Sequence, residues 1–106
     1  MIVATTNDIP THEVMEILGV VEGNTIRARS VFRDILAGLK NIIGGEIEEY
    51  TKLLAESRDQ AVDRMIEKAE ELGADAVIMM RFATSEIMSG AAEILAYGTA
   101  VKLKKK

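Results

Sequence analysis

The sequence predicts a small α+β fold: a small sheet packed by one long helix plus a shorter helix, in a subunit that assembles with copies of itself. Three observations predict it. Residues 46–72 keep apolar side chains on one helical face until Gly73 stops the run. The segments on either side of that run cluster apolar and β-branched residues at strand length. The apolar surface carried by all these elements exceeds what a chain of 106 residues can cover by itself.

Taken in order, residues 1–6 read as a short strand, followed by the turn-rich Asn7-Asp8-Ile9-Pro10-Thr11. Residues 14–30 are rich in β-branched and apolar side chains, interrupted by Gly19 and by Glu22-Gly23-Asn24. The glycines leave two forms open, one long strand with a bulge or a hairpin. Ser30 is placed to cap a first helix over 31–43, with Gly44 as its terminator. Its apolar positions, Val31, Phe32, Ile35, Leu36, Leu39, Ile42 and Ile43, make a stripe too wide for a helix covered on one side only. Few basic residues lie opposite that stripe, which argues against attachment to a membrane surface.

The long helix places Ile47, Tyr50, Leu54, Ala61, Met65, Ala69 and Leu72 on one face. Glu46, Glu48 and Glu49 crowd its first turn, where negative charge suits the helix dipole. At 1.5 Å per residue it is about 40 Å long, against a radius of gyration near ~13 Å for a compact domain of this size. The helix therefore either kinks or extends onto a neighbouring subunit. The following strand, 75–82, is apolar on both parities except at Arg81, the pattern of a strand covered on both faces. Residues 84–90 supply a turn. In the last strand, 92–103, Ile94, Ala96, Gly98 and Ala100 form a small-residue face on which the long helix is expected to lie. Leu95, Tyr97, Val101 and Leu103 form a bulkier face with no element left to cover it.

The totals set the boundaries of function. The length fits a single domain over 1–106, and hydrophobic and charged fractions of 48% and 28% are those of a globular chain. A net charge of −4 argues against nucleic acid as a partner, because phosphate neutralisation needs a concentrated basic surface. The basic cluster Lys102, Lys104, Lys105 and Lys106 reads as a solubilising tail. The absence of cysteine excludes disulfides, thiolate zinc sites, iron–sulfur clusters and cysteine nucleophiles. The first residues carry neither a basic nor an apolar targeting region, and no apolar run approaches the ~20 residues of a membrane span. The expected location is the cytoplasm.

Candidate site residues are few. His12, the sole histidine, stands near Asp8 and Glu13, and these three are the candidate ligands for a divalent metal. Gly44-Gly45 precedes a helix but matches no phosphate-binding spacing. Asp59, Asp63, Glu67 and Glu71 make an acidic column that Arg64 and Lys68 offset, the arrangement of a solvated face. Met79-Met80, adjacent in a strand, point to opposite faces and read as packing residues. Arg81 interrupts an apolar strand, and a buried guanidinium requires an anionic partner. Glu93 is the first candidate and Asp34, beside Arg33, the second.

The run Phe32-Arg33-Asp34, then Gly44-Gly45, Tyr50 and Arg58, then Gly73-Ala74-Asp75-Ala76-Val77, and finally Gly98-Thr99-Ala100-Val101 resembles the YbjQ-like family across nearly the whole chain. The resemblance implies a dodecin-like, ring-forming subunit, with a pentamer favoured, whose sheet is backed by the long helix. It also implies heavy-metal binding, against which stand the absent cysteines and the single histidine. Arg33, Asp34, Gly44, Gly45, Tyr50 and Arg58 therefore read as structural or interface positions. The functional expectation is a non-enzymatic homo-oligomer holding a metal ion or small ligand at subunit interfaces. Arg33, Asp34, Tyr50, Arg58, Arg81, Glu93 and Tyr97 are its ligand-binding or interface residues. The rival readings are an enzyme assembled between subunits from Arg81, Glu93, Tyr97, Arg33 and Asp34, and a scaffold for another protein.

Overall fold

The computed structural model describes residues 1–28, 48–88 and 91–106. The expected helix over 31–43, its Ser30 cap, Arg33, Asp34 and Gly44-Gly45 lie outside the described residues. Within them the order is β1 (Ile2–Val3), β2 (His12–Ala28), α1 (Glu48–Glu71), β3 (Ala76–Met88) and β4 (Ala91–Lys105). The four strands form one sheet in the order β1-β3-β4-β2. β1 runs parallel to β3, and the other two pairings are antiparallel. The fold is thus a small α+β arrangement with a mixed sheet and one long helix.

The question left open over residues 14–30 is answered as one strand. β2 pairs with β4 over its whole length, from His12 opposite Lys105 to Ala28 opposite Ala91, with irregularities at Val14/Glu16 and Ile17/Gly19. Gly19 has φ +132°, a conformation side-chain-bearing residues rarely adopt, and marks the second bulge. Gly23 has a different role. A Cβ there would collide with the backbone of Ala61 and Met65 and come within 2.8 Å of the Arg64 carbonyl carbon. Gly23 is therefore the point where helix and strand backbones meet.

α1 lies along β2 and β4, with Ala61, Met65 and Ala69 fully buried against Val21, Val77, Met80, Ile94, Ala96 and Ala100. The small-residue face of β4 does carry the helix, through Ala96 and Ala100. Gly98 differs from its expected part: a Cβ there would meet Val77 Cγ1 at 2.6 Å and Ile78 O at 3.0 Å, so its crowding comes from β3. Two polar links fix the helix to β2: Thr25 Oγ1 donates to the Ser57 carbonyl at 3.2 Å, and Arg64 Nη1 donates to the Asn24 carbonyl. The helix ends at Gly73 as expected. Gly73, at φ +76°, donates to Glu70 O at 2.9 Å, and Ala74 donates to Ala69 O at 3.0 Å. This pair of bonds satisfies helix carbonyls that water or nothing would otherwise meet.

The long helix runs unbroken from Glu48 to Glu71 beside a sheet as elongated as itself. The extents are 55 × 29 × 17 Å, with a radius of gyration of 17.2 Å, and β2 alone spans roughly 55 Å at ~3.3 Å per residue. Residues 84–88 are strand, not turn: β3 continues to Met88, pairing with β4 down to Ala91. Hydrogen bonding across a long hairpin outweighs the turn-like polarity of Thr84, Ser85 and Glu86. The expected cover on both faces holds for Ala76, Val77, Ile78 and Met80 and fails from Arg81 to Glu86, all exposed. Leu72, read as a core position, is 49% exposed.

Candidate functional site

Cross-strand partners share a face of the sheet, so register separates the two faces. Val21, Gly23 and Thr25 of β2, opposite Gly98, Ala96 and Ile94, face α1 and are buried. Ile17, Val20, Glu22, Asn24 and Ile26, opposite Val101, Thr99, Tyr97, Leu95 and Glu93, face away from it. Part of that second face is covered by the chain's own N-terminal segment. Ile9 is buried there with Ala76, Ile78 and Val101, and Leu103 packs beside them. The cover stops short of β2, leaving Ile17 69%, Val20 76% and Ile26 57% exposed on an edge strand.

Arg81, Tyr97 and Glu22 occupy one row across β3, β4 and β2 on this helix-free face. The expected ion pair between Arg81 and Glu93 is absent. Arg81 is exposed, and its Nη1 donates to Thr5 O at 2.9 Å and Met80 O at 2.8 Å. Glu93 stands opposite Ser85, four residues along β4 from Tyr97, and accepts from Asn24 Nδ2 at 3.0 Å. The expectation failed because it assumed that the strand was buried at Arg81. A bulge at Met79, φ +55°, displaces the register before Arg81 and lets residues 4–6 lie alongside, with Met80 N donating to Ala4 O and Met79 N to Thr6 O, both at 3.0 Å. The guanidinium is thus held by carbonyls and clamps the N-terminal segment to the sheet. Met79 and Met80 point oppositely, one exposed and one buried.

A groove with a volume of ≈ 460 Å³ opens where β2 meets the last turn of α1, lined by Val20, Val21, Glu22, Lys68, Glu71 and Leu72. Its lining brings three aliphatic residues together with two carboxylates and one ammonium. Sequence reasoning missed it: Leu72 was read as core, and Lys68 and Glu71 as a solvated face. A signal existed in Gly23, since the close approach it allows brings the last turn of the helix beside the Val20–Glu22 stretch of the edge strand.

Among the other candidates, Arg58 is exposed on α1 and Tyr50 lies in its N-terminal half. His12 opens β2, with Nδ1 2.7 Å from Thr11 Oγ1, while Asp8 and Glu13 are exposed. No group of three His, Asp or Glu side chains among the described residues is arranged to hold a metal ion. Asp59, Asp63, Glu67 and Glu71 are exposed along α1, a solvated column. Of the C-terminal lysines, Lys102, Lys104 and Lys105 belong to β4 and lie opposite Glu16, Glu13 and His12. They are strand residues facing acidic or imidazole neighbours, not a free tail. No helix among the described residues is long and apolar enough to cross a membrane.

Comparison with known proteins agrees with this architecture. Residues 1–104 match the YbjQ family model, whose description is "Putative heavy-metal-binding". The chain is 62% identical over 104 residues to a UPF0145 protein of Archaeoglobus fulgidus, covering 98% of this chain and 96% of that one. It is 57% identical over 105 residues to a UPF0145 protein of Psychromonas ingrahamii, covering 99% and 100%. A crystal structure from Pediococcus pentosaceus, a protein of unknown function of the DUF74 family, superposes with a TM-score of 0.64 over 98% of each chain. At 17% identity it is a likeness of fold alone. The chain belongs to the YbjQ-like family of UPF0145 proteins.

Proposed function

We propose that this chain is the subunit of a closed homo-oligomeric binding protein, a dodecin-like ring with a pentamer favoured, that holds a small ligand or metal ion at its subunit interfaces. The observation that carries this reading is the uncovered aliphatic strip on β2: Ile17, Val20 and Ile26 stand in water on an edge strand. Apolar area of this kind on an edge strand favours pairing with another chain. The two edges of the sheet also differ. One is the full length of β2, and the other is β3 beyond Met80, where the bonds from residues 2–6 end. Unlike edges meet head to tail, and a head-to-tail contact closes into a ring when its rotation allows.

The interface set in this reading is Arg33, Asp34, Tyr50, Arg58, Arg81, Glu93 and Tyr97. Of these, Arg81 and Tyr97 are cross-strand neighbours and Glu93 shares their face. The metal-binding description of the family enters as the choice of ligand. With no cysteine in the chain, oxygen and imidazole donors from Asp8, Glu13 and His12 must be completed by a neighbouring copy. Native mass spectrometry of untagged protein tests the reading. The expected spectrum shows one defined oligomer with an added mass in simple stoichiometry. A monomer carrying no bound species overturns it.

A further inference from the structure

We propose that two copies of this chain pack face to face through the side of the sheet that α1 leaves bare. The two-fold axis runs along β4 and passes between their Tyr97 rings. This goes beyond a ring closed through strand edges, because such a ring does not by itself cover that face. β4 is flanked by β3 on one side and β2 on the other, each one strand spacing, ~4.8 Å, away. The row Arg81, Tyr97, Glu22 therefore sets a guanidinium and a carboxylate on opposite sides of an aromatic ring, each one strand away from it. A half-turn about the line of β4 exchanges the positions of β3 and β2 and keeps every row at its level. Arg81 of each copy then comes opposite Glu22 of the other, and Tyr97 opposite Tyr97. An axis across the strands would set Arg81 on Arg81 and Glu22 on Glu22, so charge selects the first arrangement. Both hydrogen bonds of Arg81 to its own chain leave from Nη1, which keeps Nε and Nη2 for a partner's carboxylate.

The same half-turn accounts for the uncovered strip on β2. Ile9 of each copy lies with Ala76, Ile78 and Val101, on the β3 and β4 side of this face. Rotation carries that N-terminal segment over the partner's β2, at the level of Ile17 and Val20, which are paired with Val101 and Thr99. The side chains that the chain's own segment fails to reach are thus covered by the partner's. The two segments lie side by side at one end of the contact and wedge the sheets apart there. Closest approach, about 10 Å between sheets, falls at the rows of Tyr97 and half-buried Leu95. Glu93 is the remaining charge on the open face, and it is bonded to Asn24 of its own copy. Packed sheets cross at about 30°, which carries Glu93 to the side of its mate four residues from the crossing point.

The chain has no cysteine, so a single introduced thiol reports a two-fold axis without background. Tyr97→Cys and Thr99→Cys, each treated with diamide, are expected to give covalent dimers and nothing larger on denaturing gels. Ala83→Cys, off the axis on the same face, is expected to give none. An intact native oligomer with neither axial variant cross-linked overturns the proposal. Glu22→Arg and Arg81→Glu, each alone, are expected to weaken association at least about tenfold by sedimentation. An equal mixture of the two is expected to recover it, since each copy then meets the opposite charge on the other. Two folded variants, by circular dichroism, that fail to recover on mixing overturn the proposal; if Arg81→Glu does not fold, the axial cysteines decide. In native mass spectrometry an even number of subunits is expected. A ring with an odd number overturns this contact and leaves the ring standing. A dimer that cross-links at Tyr97→Cys, with no larger species, upholds the contact and removes the ring. A monomeric wild type removes both.

Discussion

The two faces of β2 differ more than its sequence suggests. Val20 and Val21 are the same residue type, adjacent in one strand, yet one is 76% and the other 3% exposed. Val21 meets Met65 and Ala69 of α1, packed closely because Gly23 lets the backbones approach. Val20 looks onto the face that only Ile9 and its neighbours cover, one strand short of reaching it. One face of this strand builds the subunit, and the other stands open; in the self-assembly proposed above it is the open face that joins copies. An apolar residue on the first face acts on folding, and in that proposal one on the second acts on association.

The largest effect expected is from Gly23→Ala. The added methyl collides with main-chain atoms of α1, which do not turn aside as a side-chain tip does, so the helix must lift from the sheet. A loss of about 3 kcal/mol or more in urea unfolding is expected; a loss under about 1 kcal/mol would show that the two backbones are not in contact. Met65→Ala, at a fully buried position on the same face, is expected to cost roughly 2 to 5 kcal/mol by cavity formation. Differential scanning calorimetry checks it, and an unshifted midpoint would refute the packing described for α1.

Gly19→Ala sharpens the comparison from within the same strand. Nothing lies within 4 Å of the position its Cβ would take, so its cost is conformational and not steric. About 1 to 2 kcal/mol is expected from the positive φ, clearly below Gly23→Ala; equal costs would break the distinction between bulge and close approach. The smallest effect on subunit stability is expected from Ile17→Ser with Val20→Ser on the open face, within about 0.5 kcal/mol. The same pair is expected to weaken self-association by more than tenfold in analytical ultracentrifugation. A large loss of stability without change in assembly would place these residues in the core after all.

Much of the fold was legible in sequence because local rules and tertiary demands agreed. The helix stop at Gly73 was readable since an αL residue followed by Ala74 satisfies the last carbonyls whatever the helix packs on. The helix-bearing face of β4 was readable from period two. The candidate site was far less so. Arg81 looked buried because Ile78, Met79 and Met80 precede it, and nothing in that run announces a bulge at a methionine. Its partners turned out to be the Thr5 and Met80 carbonyls, which composition cannot single out. The groove joins residues about fifty apart in the chain, and neither Val20 nor Leu72 is unusual where it stands.

Sequence by itself determined what short-range chemistry controls. That covers the strand or helix character of β1, β2, α1, β4 and the first part of β3, though not of residues 84–88, where α1 ends, which face of β4 is small enough to receive it, and that apolar surface would remain uncovered. Tertiary structure decided what depends on register and approach: that β2 is one bulged strand, that Gly23 and not Gly98 takes the helix backbone, and that Arg81 clamps the N-terminal segment instead of pairing with Glu93. The physical reason is the two-residue period of a strand. A single bulge exchanges the faces of every residue beyond it, and whether one forms depends on hydrogen bonds to strands distant in the chain.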